Sequence, residues 1–259
     1  LDIYVSASGL ENWDRENLLF INNQDLTFSE EGKGRGVADN GHSTQATFFD
    51  YDNDGDLDAY IANYPAADFT SSNNYYKHQM ENVTIENSDK LFENNGEGFF
   101  EDVTIKSGLL SYGLSLSATT GDFNQDGWQD IYVSNDFSTP DYFYFNNGDG
   151  TFSEHLKKTT NHTSFYGMGV DVADFNNDGL LDLFQVDMTP EDNFRSKSNM
   201  ASMDVNKFWD VVNNGFHFQY MQNAVQVNNG LQTNGLPFFS DISRLTGMSL
   251  TDWSWSPLL

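Results

Sequence analysis

The chain has 259 residues, with 39 Asp and Glu against 12 Lys and Arg, and a formal charge of −27. That balance repels phosphate backbones and anionic lipid, which excludes nucleic acid as a partner and favours cations. Cysteine is absent, so disulfides, thiolate metal sites and thiol nucleophiles are all removed, while 22 Phe and 12 Tyr provide for a packed core. In chain order, LDIYVSAS (1–8) reads as the end of a unit, because Leu1–Asp2–Ile3–Tyr4–Val5 parallels Leu57–Asp58–Ala59–Tyr60–Ile61. LFINNQDLTFSE (19–30) then places apolar residues on both sides of an Asn-rich turn. This is a hairpin signal, since Asn and Gly tolerate positive φ, and it recurs as LFENNGEGFFED (91–102), YFNNGDGTFSEH (144–155) and VQVNNG (225–230). The small-residue strand GHSTQATFF (41–49) has counterparts in GLSLSATTG (113–121) and YGMGVDVA (166–173).

An aspartate loop follows each small-residue strand: DYDNDGDLD (50–58), DFNQDGWQD (122–130) and DFNNDGLLD (174–182). Each loop leads into a β-rich run, AYIAN (59–63), IYVSN (131–135) or LFQVD (183–187). Hairpin, small-residue strand, loop and closing strand make a four-stranded unit, the pattern of β-propeller blades of ~40–50 residues. The expected fold is an all-β propeller with blades at 18–63, 91–135 and 143–187, after a final strand of a preceding blade at 1–8. An incomplete blade at 225–259 ends in TDWSWSPLL (251–259), where a small-residue strand belongs. The stretch 64–90 reads as a polar loop between units. The insertion 188–224 is expected to carry one short helix, through Met200, Met203, Val205, Phe208 and Val212, stopped at Asn213–Asn214–Gly215. Both ends fall inside units, so the expectation is a fragment of a larger ring. The alternative is a closed four-blade ring in which residues 1–8 complete the last blade.

With the first Asp as position 1, each loop offers side-chain oxygens at positions 1, 3, 5 and 9 and Gly at position 6. Calcium takes six to eight oxygens, and a loop presenting every second side chain plus a backbone carbonyl meets that demand, with Gly allowing the sharp turn. Magnesium suits such a dense cage less well, because it keeps several waters in a rigid octahedron. The side-chain ligands expected are Asp50, Asp52, Asp54 and Asp58; Asp122, Asn124, Asp126 and Asp130; and Asp174, Asn176, Asp178 and Asp182. Position 7 is Asp56, Trp128 and Leu180, and such a change of side chain is what a backbone carbonyl ligand predicts. About three calcium sites follow. An EF-hand needs Glu at position 12, which here is Ile61, Val133 and Gln185. Solvated acidic turns and paired catalytic acids are the competing readings; the second suffers because a repeated cage is a poor way to give two acids different pKa values.

His42, His78, His155, His162 and His217 form no spaced metal or catalytic pair. Trp128, Trp209, Trp253, Trp255 and Tyr75–Tyr76 either pack the sheets or stack on sugar rings. NVT (82–84) and NHT (161–163) fit the glycosylation acceptor pattern.

These loops and hairpins resemble FG-GAP or VCBS-type repeats, the calcium-loop blades of integrin α propellers and many bacterial surface proteins, over most of the chain. More narrowly, FFDYDNDGDLDAYIANY, GDFNQDGWQDIYVSNDF, DVADFNNDGLLDLFQVDMTPEDN and TDWSWSP are similar to bacterial ASPIC/UnbV-type proteins related to cartilage acidic protein. There the DWSW segment leads into another DxDxDG loop. The resemblance implies a ring of about seven blades, secretion, and display at a cell surface, with the bacterial outer membrane as the expected place. It leaves the ligand open. The expected function is a calcium-binding propeller serving as an extracellular binding or scaffold module, not an enzyme, with calcium structural. It would hold a protein or glycan ligand, or join a larger surface complex, without inserting into the membrane. The alternative is a carbohydrate-active enzyme, a polysaccharide lyase or hydrolase, or a glycan-binding subunit on the same scaffold; the scarcity of basic residues argues against an enzyme.

Overall fold

Strands in which successive side chains point to opposite faces can pack against a neighbour on each side, and that alternation organises the molecule. The computed structural model describes residues 1–9, 14–68, 70–198 and 205–259. The first sheet contains β1 (Ile3–Val5), β2 (Leu18–Asn22) and β3 (Phe28–Glu30) in that order. The second contains β4 (Ser43–Phe49), β5 (Asp58–Asn63), β6 (Lys90–Asn94) and β7 (Phe100–Asp102). The third contains β8 (Ser115–Gly121), β9 (Asp130–Asn135), β10 (Tyr142–Asn146) and β11 (Phe152–Glu154). After a short β12 (Thr163–Ser164) come β13 (Val170–Ala173) and β14 (Asp182–Gln185). Then follow β15 (Gln219–Tyr220), parallel to β12, and β16 (Ala224–Leu231) with β17 (Pro237–Asp241). The fourth sheet has the order β13-β14-β16-β17, and neighbours within all four sheets are antiparallel.

The units are therefore cut at a different point from the expected 18–63, 91–135 and 143–187. Each hairpin pairs with the strand before it: β2 with β1, β6 with β5, β10 with β9 and β16 with β14. Sequence order could not reveal this, because the strand after each loop bonds on both sides. Residues 3–5 join the first sheet through β2, not the last sheet.

Alternation on the central strands explains the layering. Every residue of β5 and of β9 is buried. Ala59 and Ile61 of β5 pack with Leu19 and Val37 of the first sheet and its exit loop, whereas Tyr60 packs with Ile131 and Val133 of the third. Tyr132 turns the other way and packs with Leu183 and Phe239 of the fourth. Each such fully buried Leu, Ile or Val side chain contributes about 1.5–3 kcal/mol. The first strands β4 and β8 lie side by side: Thr44 Oγ1 donates to the Ser115 carbonyl at 2.8 Å and Thr47 Oγ1 to that of Ala118 at 2.9 Å. The amide N–H of Val170 in β13 reaches Ser117 Oγ at 3.2 Å. The last residues run along β13, with the Leu259 N–H on Asp171 Oδ2 at 3.0 Å. A Cβ on Gly169 would come within 2.5 Å of the Trp255 carbonyl, which accounts for a small residue there.

Among the described residues the fold is mostly β, as expected, with 16% helix. The helices are α1 (Gly32–Arg35), α2 (Asn73–Glu81), α3 (Leu156–Thr159), α4 (Asn193–Ser198), α5 (Val205–Asn213) and α6 (Ser243–Thr246). Three of them, α1, α3 and α6, are single turns that leave the outermost strand of a sheet. The stretch 64–90, expected as a polar loop, carries α2, capped by Ser72 Oγ on the Tyr75 N–H and anchored by buried Tyr76. Among the described residues of 188–224 there are helices α4 and α5 where one was expected; Val205, Phe208 and Val212 lie on α5, while Met200 and Met203 lie outside the described residues. Asn73 Nδ2 donates to Asp210 Oδ2 at 2.7 Å, joining α2 to α5 over an aromatic cluster that includes Tyr76, Tyr112, Phe165 and Phe216. Because β5 and β14 run away from their loops, these insertions cover the end of the sheets opposite the aspartates. Among the described residues no helix is long and apolar enough to cross a membrane.

Candidate metal centres

Each aspartate loop closes the turn between the first and second strands of a sheet, and the ladder brings its ends together in the pairs Phe49–Asp58, Gly121–Asp130 and Ala173–Asp182. Inside the turn the backbone adopts one conformation three times. Position 4 (Asn53, Gln125, Asn177) has φ near +60°, at 59°, 59° and 60°, and the Gly at position 6 has φ of 99°, 89° and 86°. This curls the chain around the position-1 carboxylate. One oxygen accepts the position-5 N–H at 3.2, 3.0 and 3.0 Å, and the other accepts the Gly N–H at 3.1, 2.9 and 2.8 Å. The position-5 acid turns its Oδ1 to the position-7 N–H at 3.1, 2.9 and 2.9 Å and is exposed in all three loops.

In the first loop, oxygens of Asp50, Asp52 and Asp58 all lie within 4.8 Å of one another. That all-oxygen convergence fits a hard cation bound at ~2.3–2.6 Å from each ligand. The second and third loops have an amide at position 3, where Asn124 and Asn176 accept the position-5 N–H on Oδ1 at 3.2 and 2.9 Å. Their Nδ2 donates to Asp126 and Asp178 at 2.8 and 2.9 Å. Asp54 is not part of the converged set. At position 7, Asp56 has one buried oxygen without a hydrogen-bond partner, Trp128 lies against Gly148 of the neighbouring hairpin, and Leu180 is half-buried.

Position 9 has a second role that spacing did not show. Asp58, Asp130 and Asp182 are at most 1% exposed. Their Oδ2 accepts the position-2 N–H (Tyr51, Phe123, Phe175) at 3.0, 3.1 and 3.0 Å. Their Oδ1 accepts the N–H of Asn94, Asn146 and Asn228 in the hairpin at 2.8, 2.9 and 2.8 Å. Asp2 makes the same bond to the Asn22 N–H at 2.8 Å. Burial pushes Asp58 up to about 7 and Asp130 up to about 8, and raises Asp182. Loss of hydration, followed by the charge of Asp54, also raises Asp52 and Asp56. Acids that resist ionisation in this way are groups that a cation would relieve.

The opposite end of the sheets holds a second repeated network that the sequence reading missed. The Asn63 N–H donates to Asp89 Oδ1 at 2.7 Å and the Asn135 N–H to Asp141 Oδ1 at 2.8 Å; in the fourth sheet the acid and amide exchange places, and the Asp187 N–H donates to Asn223 Oδ1 at 2.7 Å. Tyr60 and Tyr132 donate their hydroxyls to Asp89 and Asp141 at 2.9 and 2.6 Å. The next sheet also contributes, through Ser115 Oγ on Asp89 at 2.9 Å and Gln185 Nε2 on Asp141 at 2.8 Å. Burial raises Asp89 to about 6 and Asp141 to about 7. A signal was present: Asn17, Asp89, Asp141 and Asn223 stand at one fixed spacing before Asn22, Asn94, Asn146 and Asn228. Elsewhere, burial lowers His217 to about 4, and Tyr76 belongs to the core, while Tyr75, Trp209, Trp253 and Trp255 are exposed.

A family model described as FG-GAP-like repeat matches residues 82–133 and 122–184, a span that includes the second and third loops. Cartilage acidic protein 1 of Xenopus tropicalis is 27% identical over 181 residues, and that of Homo sapiens is 27% identical over 180. Each match covers 68% of this chain and 26% of the relative, so the chain spans about a quarter of the curated relatives' length. The solved structure of an Agrocybe aegerita lectin recognising non-reducing terminal N-acetylglucosamine aligns over 93% of this chain and 78% of its own. Its identity is 14% and its TM-score 0.29, too low to carry an argument. The repeated loops and sheets, with the family match across two of the loops and the similarity over two thirds of the chain, make this chain similar to FG-GAP-type repeat proteins.

Proposed function

We propose that the chain is part of a calcium-binding β-propeller whose ions are structural, and that it serves as an extracellular or cell-surface binding and scaffold module. The observation that carries this reading is the threefold identity of the loop backbone around the position-1 carboxylate, down to the positive φ at positions 4 and 6. In each loop the side chains at positions 1, 3, 5 and 9 and the carbonyl at position 7 would hold the ion. These are Asp50, Asp52, Asp54, Asp56 and Asp58; Asp122, Asn124, Asp126, Trp128 and Asp130; and Asp174, Asn176, Asp178, Leu180 and Asp182. When bound, calcium supplies the positive charge that offsets the converging acids. The protein's own part is to hold the turn closed through the position-9 brackets, so that loop, first strand and hairpin move as one piece.

An extracellular setting suits such sites, since surface calcium modules work at free calcium of about 10⁻⁴–10⁻³ M. Similarity to ASPIC/UnbV-type surface proteins supports display on a bacterial outer membrane. The end covered by α2 and α5 is the surface offered to a protein or glycan ligand, because there the sheets carry long insertions that vary from unit to unit. Equilibrium dialysis with calcium tests the reading. It predicts about three ions per chain and the loss of one on Asp122→Ala; the absence of stoichiometric binding contradicts it.

A further inference from the structure

The first and second aspartate loops are each gripped by the next unit. Asn53, at position 4 of the first loop, donates from Nδ2 to the carbonyl of Gly127, position 6 of the second, at 3.1 Å. Gln125, at position 4 of the second loop, donates from Nε2 to the carbonyl of Gly179, position 6 of the third, at 2.9 Å. In the other direction, hairpin residues Asn146 and Asn228 reach back to position 2 of the preceding loop, donating to the carbonyls of Tyr51 at 2.7 Å and Phe123 at 3.0 Å.

The acceptor is informative. Position 6 is the glycine whose positive φ makes the turn and whose N–H holds the position-1 carboxylate, at 2.9 Å in the second loop and 2.8 Å in the third. Its carbonyl shares a peptide plane with the position-7 N–H, which holds the position-5 acid at 2.9 Å in both loops, so fixing that carbonyl fixes this donor of the cradle. The donor has left-handed backbone, so its side chain is aimed outward by the same turn that closes its own loop. Asn and Gln differ in length, yet both reach the same acceptor in the next loop.

We infer that Asn53 and Gln125 are positioning residues that couple neighbouring cation sites, so that closing one loop pre-orders the next. The inference rests on the calcium reading of the loops. Ordering paid for by the first ion lowers the ordering cost at its neighbour, which makes the coupling positive and, by linkage, reciprocal. Repulsion between divalent ions opposes it and weakens with salt, whereas the hydrogen bond is a contact term.

Trp128 sits at position 7 of the second loop, so terbium luminescence excited through tryptophan, displaced by calcium, reads that loop. Four forms of the full chain make a cycle: unaltered, Asp50→Asn to disable the first loop, Asn53→Gly, and both together. Glycine keeps the left-handed backbone and removes only the amide. With Asn53 in place, disabling the first loop weakens the second by roughly three- to tenfold, the worth of one hydrogen bond. Asn53→Gly alone gives a similar loss, and adding Asp50→Asn then changes nothing. Gln125→Met, which removes a donor without shortening the side chain, weakens the Trp128-sensitised step and one other binding step seen by calorimetry by the same factor, because the second and third loops are coupled reciprocally. The coupling is overturned if Asn53→Gly leaves the second loop unchanged, or if disabling the first loop costs the same with and without the amide. A chain that gives no tryptophan-sensitised terbium signal overturns the calcium reading itself.

Discussion

The two ends of the sheets treat their carboxylates in opposite ways. At the loop end, acids converge on one another and meet mainly backbone N–H groups, with the position-5 acid left in solvent. At the far end, Asp89 and Asp141 are fully enclosed, yet each is surrounded by tyrosine, serine or glutamine donors and one backbone N–H. The far end encloses its acids with neutral side-chain donors, whereas the loop end sets carboxylates against one another and leaves one Asp56 oxygen buried without a partner. Cations should therefore act on one end, and hydrogen-bond substitutions on the other.

The largest expected effect comes where the two roles meet. Asp130→Ala strips the acceptor from the buried N–H groups of Phe123 and Asn146 and should cost about 3–5 kcal/mol in urea unfolding, even with calcium removed, since each buried unpaired donor costs ~1–3 kcal/mol. Asp126→Ala, whose side chain is exposed, should cost much less in chelator and lose its calcium response. Equal effects of the two in chelator would remove the distinction between bracket and ligand.

Next comes the far end. Asn135→Asp sets a second carboxylate beside Asp141 and should destabilise the chain by about 2–4 kcal/mol. Adding Asp141→Asn recreates the exchanged arrangement of Asp187 and Asn223 and should recover part of that loss. A double variant worse than the sum of the singles would show that the exchange in the fourth sheet is not a transferable solution.

Proton linkage gives a smaller, graded effect. Asp89 and Asp141 titrate at about 6 and about 7 in the fold and near 3.9 when unfolded. Between those values the folded chain holds protons that the unfolded chain has released, so stability should fall as pH rises from about 4 to about 7. Calcium-saturated protein should keep this slope, because neither acid lies in a loop. A stability that rises across that window contradicts the burial assigned to them. Smallest of all is Asp56→Asn: its side chain lies outside the converged set, and calorimetry should show unchanged calcium binding and stability within about 0.5 kcal/mol.

Much of this was legible in the sequence, and the remainder fails for physical reasons. The loops, the Asn-rich hairpins and the small-residue strands are local patterns, and their strands form where the period-two alternation and turn residues place them. What the sequence does not show is which neighbour a strand bonds: chain order places hairpin 19–30 with 43–63, whereas it pairs back to residues 3–5. The helix α2 escaped because NNYYKHQME has no apolar stripe; one buried tyrosine and a serine cap hold it. The Asp89 and Asp141 network escaped because a lone acid before a strand looks like a solvated turn until the Tyr60 and Tyr132 hydroxyls are seen to reach it.

The central claim, that calcium completes the loop end and thereby the fold, is tested most directly by thermal unfolding of the chain in excess calcium and in EGTA. The account predicts a melting temperature several degrees higher in calcium, rising further with calcium concentration, as a ligand bound only to the folded state requires, at about 2.7 kcal/mol per site at a hundred times Kd. Superimposable unfolding curves in calcium and in EGTA would contradict it.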